Sequence, residues 1–215
     1  MPITRQEETA SGARWAVWRI QETEEELREQ FHALEGILES TESVDSYKVA
    51  RKRKQWFASR LLSAALLPGF KGLYYDQFGA PHLIEDDQCV SYSHSYDRVA
   101  MLMHPEHEVG LDIQRKDKKL ERIAPKFLNE PEKERYEASE KDLDYLQVLW
   151  SVKETIFKIH KHHLPFKEIR TPSFSMGSRG SFKVEAHRFD GLHEHEVDFE
   201  IHEDFYLARS VYAEE

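Results

Sequence analysis

Cysteine is almost missing from this chain. Cys89 is the only one in 215 residues, so no disulfide can form within the chain, which points to a reducing compartment. Long apolar runs are missing too. None approaches the roughly 18–20 residues a membrane-spanning helix requires, and Arg5, Glu7 and Glu8 stand where a secretory leader would be apolar. The expectation is a cytoplasmic protein with no membrane partner. Positive charge is in deficit: 30 Lys and Arg against 40 Asp and Glu give a net charge of −10 and a pI near 5.7. Nothing global then favours nucleic acid as a partner. Low-complexity tracts and flexible linkers are also lacking. What remains, 40% hydrophobic and 12% aromatic, is the composition of a globular protein with a real core.

The order of elements is readable. Residues 13–20 alternate as a strand. Thr23 opens a helix with Glu26 three positions on, a capping-box spacing, and Leu27, Phe31, Leu34 and Leu38 follow at helical intervals. A second helix is expected from Ser46 to Leu67, basic in front (Lys48, Arg51, Lys52, Arg53, Lys54) and apolar behind, stopped by Pro68-Gly69. Short strands and turns follow to VGLDI at 109–113. Residues 117–138 read as helix in two pieces, interrupted at Pro125 and Pro131. A long helix is expected from Asp142 to His162, and the tail alternates as strands, SFSM at 173–176 included. Helix then strands, twice over, predicts an α+β fold of two similar halves, 1–104 and 105–215.

The chemistry concentrates in two short motifs. Val109-Gly110-Leu111-Asp112-Ile113 is an apolar strand that ends by presenting a carboxylate; Trp150-Ser151-Val152-Lys153-Glu154, with Lys158, is a helix offering another between lysines. A buried carboxylate needs a cation or several donors. Magnesium commonly takes one or two carboxylates and completes its shell with water and phosphate, so Asp112 and Glu154 suit a magnesium–diphosphate site, with Lys153 and Lys158 for the phosphates. Gln114, two residues after Asp112, shares its strand face and could add an amide oxygen. Gly110 allows close backbone approach, read as room for a ligand. Ser91, Ser93, His94 and Ser95 offer hydroxyl and imidazole donors for phosphate. No acidic residue lies between Ser46 and Arg60, and part of that basic run could anchor a terminal phosphate. His160, His162 and His163 near a helix end suit the helix dipole better than a metal cluster. His187, His193, His195 and His202 read as structural or solvent-facing.

Together these segments resemble the Sfp-like 4′-phosphopantetheinyl transferases, over about residues 45–165. VGLDI and WSVKETIFK match that family's two acidic motifs in order and spacing, Tyr92-Ser93-His94-Ser95 its Ser-His motif, and Arg60-Leu61-Leu62 its first-half helix. Phe127 with Glu130 or Glu132 matches its middle segment. The resemblance implies two lobes related by a pseudo-twofold axis, each a small, mostly antiparallel sheet on a long helix. It implies a monomeric, Mg²⁺-dependent enzyme that moves the 4′-phosphopantetheine arm of coenzyme A to a serine of an apo acyl or peptidyl carrier protein, releasing adenosine 3′,5′-bisphosphate. Pathways of fatty-acid, polyketide or nonribosomal-peptide assembly use such carriers. The implied coenzyme contacts are His94, Ser93, Arg60, Arg53, Arg51, Lys48, Gly79 and Pro81, with Lys153 and Lys158. The implied metal ligands are Asp112, Glu154 and Gln114, and the implied catalytic groups Glu154, Lys158, Lys153 and Glu132. Ala80 and Gln114 depart from the family's common Lys and acidic residue. They motivate an alternative, a non-catalytic or impaired homologue that binds coenzyme A or a carrier.

Overall fold

The computed structural model describes residues 3–160 and 164–213, without the side chains of residues 42 and 43. His162 and the neighbouring His163 lie outside the described residues. Contacts divide the chain into two compact units, Met1–Glu106 and His107–Glu215.

In the first unit, strands β1 (Ile3–Glu8), β2 (Arg14–Arg19), β5 (Cys89–Ser95) and β6 (Arg98–His104) form an antiparallel sheet in the order β1-β2-β6-β5. Helices α1 (Glu24–His32), α2 (Glu42–Asp45) and α3 (Ala50–Leu66) and the hairpin β3 (Leu73–Tyr75) to β4 (Pro81–Leu83) complete it. The capping box at Thr23 forms: its hydroxyl accepts from Glu26 N, and Glu26 accepts from Thr23 N. Helix α3 starts at Ala50, four residues later than expected, because Val49 is extended and α2 is a separate turn. It ends before Leu67, whose position ahead of Pro68 disfavours helical backbone. Its back half brings Trp56, Phe57, Leu61 and Leu62 into one core with Trp18, Phe31 and Met101.

The second unit carries the paired motifs. β7 (Glu108–Arg115), α4 (Leu120–Phe127), α5 (Glu130–Ala138), α6 (Leu143–His160), β8 (Ile169–Arg170), β9 (Arg179–Arg188), β10 (Gly191–Ile201) and β11 (Phe205–Tyr212) follow in sequence. The five strands pair antiparallel in the order β7-β11-β10-β9-β8. Helix α6 packs on the sheet through Val148, Val152, Ile156 and Ile159, facing Val184, Val197, Phe199 and Ala208. Its other apolar side, Leu146 and Leu149, meets Leu120, Ala124 and Phe127 of α4. Two expectations are corrected. The break between α4 and α5 falls at 128–129; Pro125 sits inside α4, and Pro131 occupies the first turn of α5, where a missing N–H costs nothing. SFSM is no strand, since Pro172 removes a ladder donor; β8 lies just before it. Among the described residues no helix is long and apolar enough to cross a membrane.

Candidate active site

The close approach that Gly110 allows is to helix α6. A Cβ on Gly110 would sit 2.1 Å from the carbonyl oxygen of Thr155 and 2.9 Å from Ile159 Cγ1. The reading of Gly110 as room for a ligand is therefore corrected: the bare backbone lets β7 lie directly on the helix. Asp112, two residues on and on the same strand face, then meets the same helix at Lys158.

There Lys158 Nζ donates to Leu111 O at 2.7 Å and to Asp112 Oδ1 at 3.1 Å. Asp112 is buried and Lys158 has 26% of its side chain exposed. Glu154, one helical turn before Lys158, shares the site. Burial first, then the negative charge of Asp112, push its carboxyl up to about 7, against the opposing pull of Lys158. A buried carboxyl whose ionisation a neighbouring carboxylate disfavours makes a site that a cation relieves. An ammonium has three protons to give. Among the described residues Lys158 places two of them, which leaves one.

Lys153 differs. It is 0% exposed, as is Glu132, its ion-pair partner at 2.8 Å. Its remaining protons go to Phe166 O at 2.8 Å and to Ile169 O. Glu132 is as fully engaged. It accepts from Asn129 N at 3.0 Å as the return half of a capping box on α5, and from the N–H and hydroxyl of Thr171, both at 3.0 Å. Burial, opposed by Glu132, draws the Lys153 ammonium below its usual pKa. With every donor and acceptor used, the pair ties α5 and α6 to the segment 166–171. Lys153 and Glu132, expected as catalytic groups, are thus engaged with each other and with the backbone, and Lys153 has all three protons placed within the protein. The signal was in the sequence, since Asn129-x-x-Glu132 repeats the spacing of Thr23-x-x-Glu26. Asn129 and Thr171, which complete the node, were not singled out.

Gln114 is half-buried and lines a groove of about 490 Å³ with Arg115, Asp117, Lys119, Arg122, Lys126, Gln147 and Trp150. Trp150 is anchored by Phe127, edge-on at 5.0 Å, and by Phe166, stacked at 5.3 Å. Among the described residues no group of three or more His, Cys, Asp or Glu is placed to hold a metal. Any ion here would rest on Asp112 and Glu154 with neutral oxygens.

The first unit's expected contacts separate by exposure. Arg60 is 2% exposed, lies 4.0 Å over the Trp56 ring, and pairs bidentately with Glu39 at 2.5 and 3.1 Å. Arg60, expected at a coenzyme phosphate, is here engaged by Glu39 instead. Arg53 donates to Glu24 at 2.7 Å and to Tyr47 O at 2.6 Å. Lys48, Arg51 and His94 are exposed, Arg51 lying 5.0 Å over the Tyr96 ring. Ser93 is buried, so it and His94 occupy opposite faces of β5 and do not form one donor pair. Gly79, with φ of +79°, and Pro81 shape the β3–β4 turn, where Asp76 accepts from Phe78 N and Ala80 N.

Residues 108–209 match the family model of the 4′-phosphopantetheinyl transferase superfamily, ACPS. The matched span starts with β7, takes in α6 and ends in β11, so Asp112, Gln114, Glu132, Lys153, Glu154 and Lys158 lie inside it, whereas the residues described in the first unit lie outside it. The match supports phosphopantetheinyl transfer in general. Among curated proteins none matches the chain in sequence.

Proposed function

We propose that this protein transfers the 4′-phosphopantetheine arm of coenzyme A to a serine of an apo acyl or peptidyl carrier protein. The observation that carries the reading is the raised Glu154 carboxyl beside buried Asp112, a like-charge pair with one ammonium against it. Such a pair fits a divalent cation. Asp112 and Glu154 would hold Mg²⁺, with the Gln114 amide oxygen as a neutral neighbour. A bound ion there supplies charge neutralisation on the coenzyme's diphosphate.

The chain's own groups do the rest. A bond forms between the acceptor serine oxygen and the β-phosphorus of coenzyme A. The bond from that phosphorus to the bridging oxygen breaks, and adenosine 3′,5′-bisphosphate leaves. Lys158 turns its remaining proton to the leaving phosphate and stabilises charge as it grows there. The serine proton goes to a carboxylate or water other than Glu132, whose oxygens are all engaged. Little covalent chemistry falls to the protein; positioning and charge carry the reaction.

From the first unit, Lys48, Arg51 and His94 stay in the proposal as coenzyme contacts, with the turn at Gly79 and Pro81. The groove beside Gln114 is proposed as the carrier's docking surface. Residues 115–126 hold six cations (Arg115, Lys116, Lys118, Lys119, Arg122, Lys126) against Asp117 and Glu121, in a chain of net charge −10.

The test is intact mass of apo carriers incubated with the protein, coenzyme A and Mg²⁺. Addition of the phosphopantetheine mass, lost in Asp112→Asn and Glu154→Gln, is the expected result. Coenzyme binding with no addition to any carrier would favour the non-catalytic alternative that Ala80 and Gln114 motivate.

A further inference from the structure

Helix α6 ends at His160, and the sheet closes around that end with Arg188 of β9, His193 and His195 of β10 and Tyr212 of β11. His160 and His195 are both buried, His195 being 1% exposed. Their Nε2 atoms lie 2.8 Å apart and the rings stand at 85°. Two imidazole nitrogens at that distance share one proton, one donating and the other accepting.

Arg188 decides which. Its Nη1 lies 2.9 Å from His160 Nδ1, and a guanidinium can only donate. His160 Nδ1 is therefore bare, its proton is on Nε2, and that N–H points at His195. Because His195 Nε2 accepts, its own proton is on Nδ1, a buried atom with no hydrogen-bond partner among the described residues. Both rings are neutral, each in one tautomer. A metal bridging the two Nε2 atoms would move His160's proton to Nδ1, straight against the Arg188 N–H. Metal binding is excluded on that ground.

A second proton on either ring meets a donor. On His160 it faces Arg188; on His195 it faces the His160 N–H. The other charged and titratable groups around the pair offer little relief. Asp190 is held by Arg188 at 2.8 Å and by His193 Nε2 at 3.1 Å, and His193 Nδ1 contacts the Tyr212 hydroxyl at 2.8 Å. Glu108 stands level with Tyr212 on β7. Burial and then Arg188 hold the His160 imidazolium down to about 4, and burial and then His160 hold His195 down to about 3.

We infer that His160 and His195 form a latch, closed only while both imidazoles are neutral, that ties the last turn of α6 to β10 and that acid opens. The latched helix is the one that carries Glu154 and Lys158. A histidine whose folded-state pKa lies below its unfolded value of about 6.5 keeps the folded state under-protonated as pH falls below that value. Opening then takes up as many as two protons. Its equilibrium constant rises by up to ~100-fold per pH unit below about pH 6.5.

Native-state hydrogen exchange by NMR on the whole chain, corrected for intrinsic rates, tests this between pH 7.5 and 5.5. Amides of the last turn of α6 and of β10 should lose protection by up to ~100-fold per unit below pH 6.5, and those of α4 far less. In His195→Phe the loss should fall to at most ~10-fold per unit, because one proton is gone. Nitrogen-15 spectra of the wild-type histidines at pH 7.5 should show the proton on Nε2 of His160 and on Nδ1 of His195. Opposite tautomers, either ring titrating near pH 6.5 in the folded protein, or equal losses in wild type and variant would overturn the latch. If His195→Phe does not fold, the wild-type tautomers and titration decide.

Discussion

Two lysines on one helix, five residues apart, send their protons to different places. All three donors of Lys153 are used inside the protein, whereas among the described residues Lys158 places two. Lys158→Ala should leave the protein folded and lower kcat by about 100- to 1000-fold, the usual loss for one electrostatic donor. Lys153→Met alone strands the buried Glu132 charge and should cost about 3–5 kcal/mol, measured by denaturant unfolding. Adding Glu132→Leu should recover much of that loss, an outcome a catalytic pair would not give. Glu154 makes a pH prediction for the metal-free protein. Its raised pKa means the folded state holds a proton that the unfolded state has lost between about pH 4.5 and 7, so stability falls as pH rises through that window. Glu154→Gln removes this slope. The variant should exceed wild type at pH 8 by about 1–3 kcal/mol and equal it at pH 4.

At the scale of elements, the site depends on how closely β7 can lie on α6. Gly110→Ala forces a Cβ to within 2.1 Å of backbone at Thr155, which cannot move without breaking the helix. Strand and helix must separate, and thermal denaturation should show a loss of about 3 kcal/mol or more. Much of this was legible in the sequence. Periodicity located α3 and α6 and most strands, because their apolar positions recur at 3.6 or 2 residues. The acidic motifs were visible because a carboxylate after an apolar strand stands out. What was hidden depended on partners far along the chain. Lys153 reads as a phosphate ligand until Phe166 and Ile169 are seen to cap it, and Gly110 reads as ligand clearance until Thr155 is found behind it. Arg60 looked available because its partner Glu39 lies 21 residues away in an irregular segment.

Across the whole molecule, a net charge of −10 coexists with a strip of concentrated positive charge at 115–126. If the carrier docks there, reversing Lys119, Arg122 and Lys126 to Glu should raise KM for the carrier at least ~10-fold, leave KM for coenzyme A unchanged, and flatten the salt dependence of kcat/KM. The proposed transfer requires that Asp112 and Glu154 hold a divalent ion against the coenzyme's diphosphate. Calorimetric titration of coenzyme A with and without Mg²⁺ tests it most directly. Wild type should gain affinity from Mg²⁺, and Asp112→Asn and Glu154→Gln should lose that gain while still folded. Equal Mg²⁺-dependent binding in wild type and both variants would contradict it.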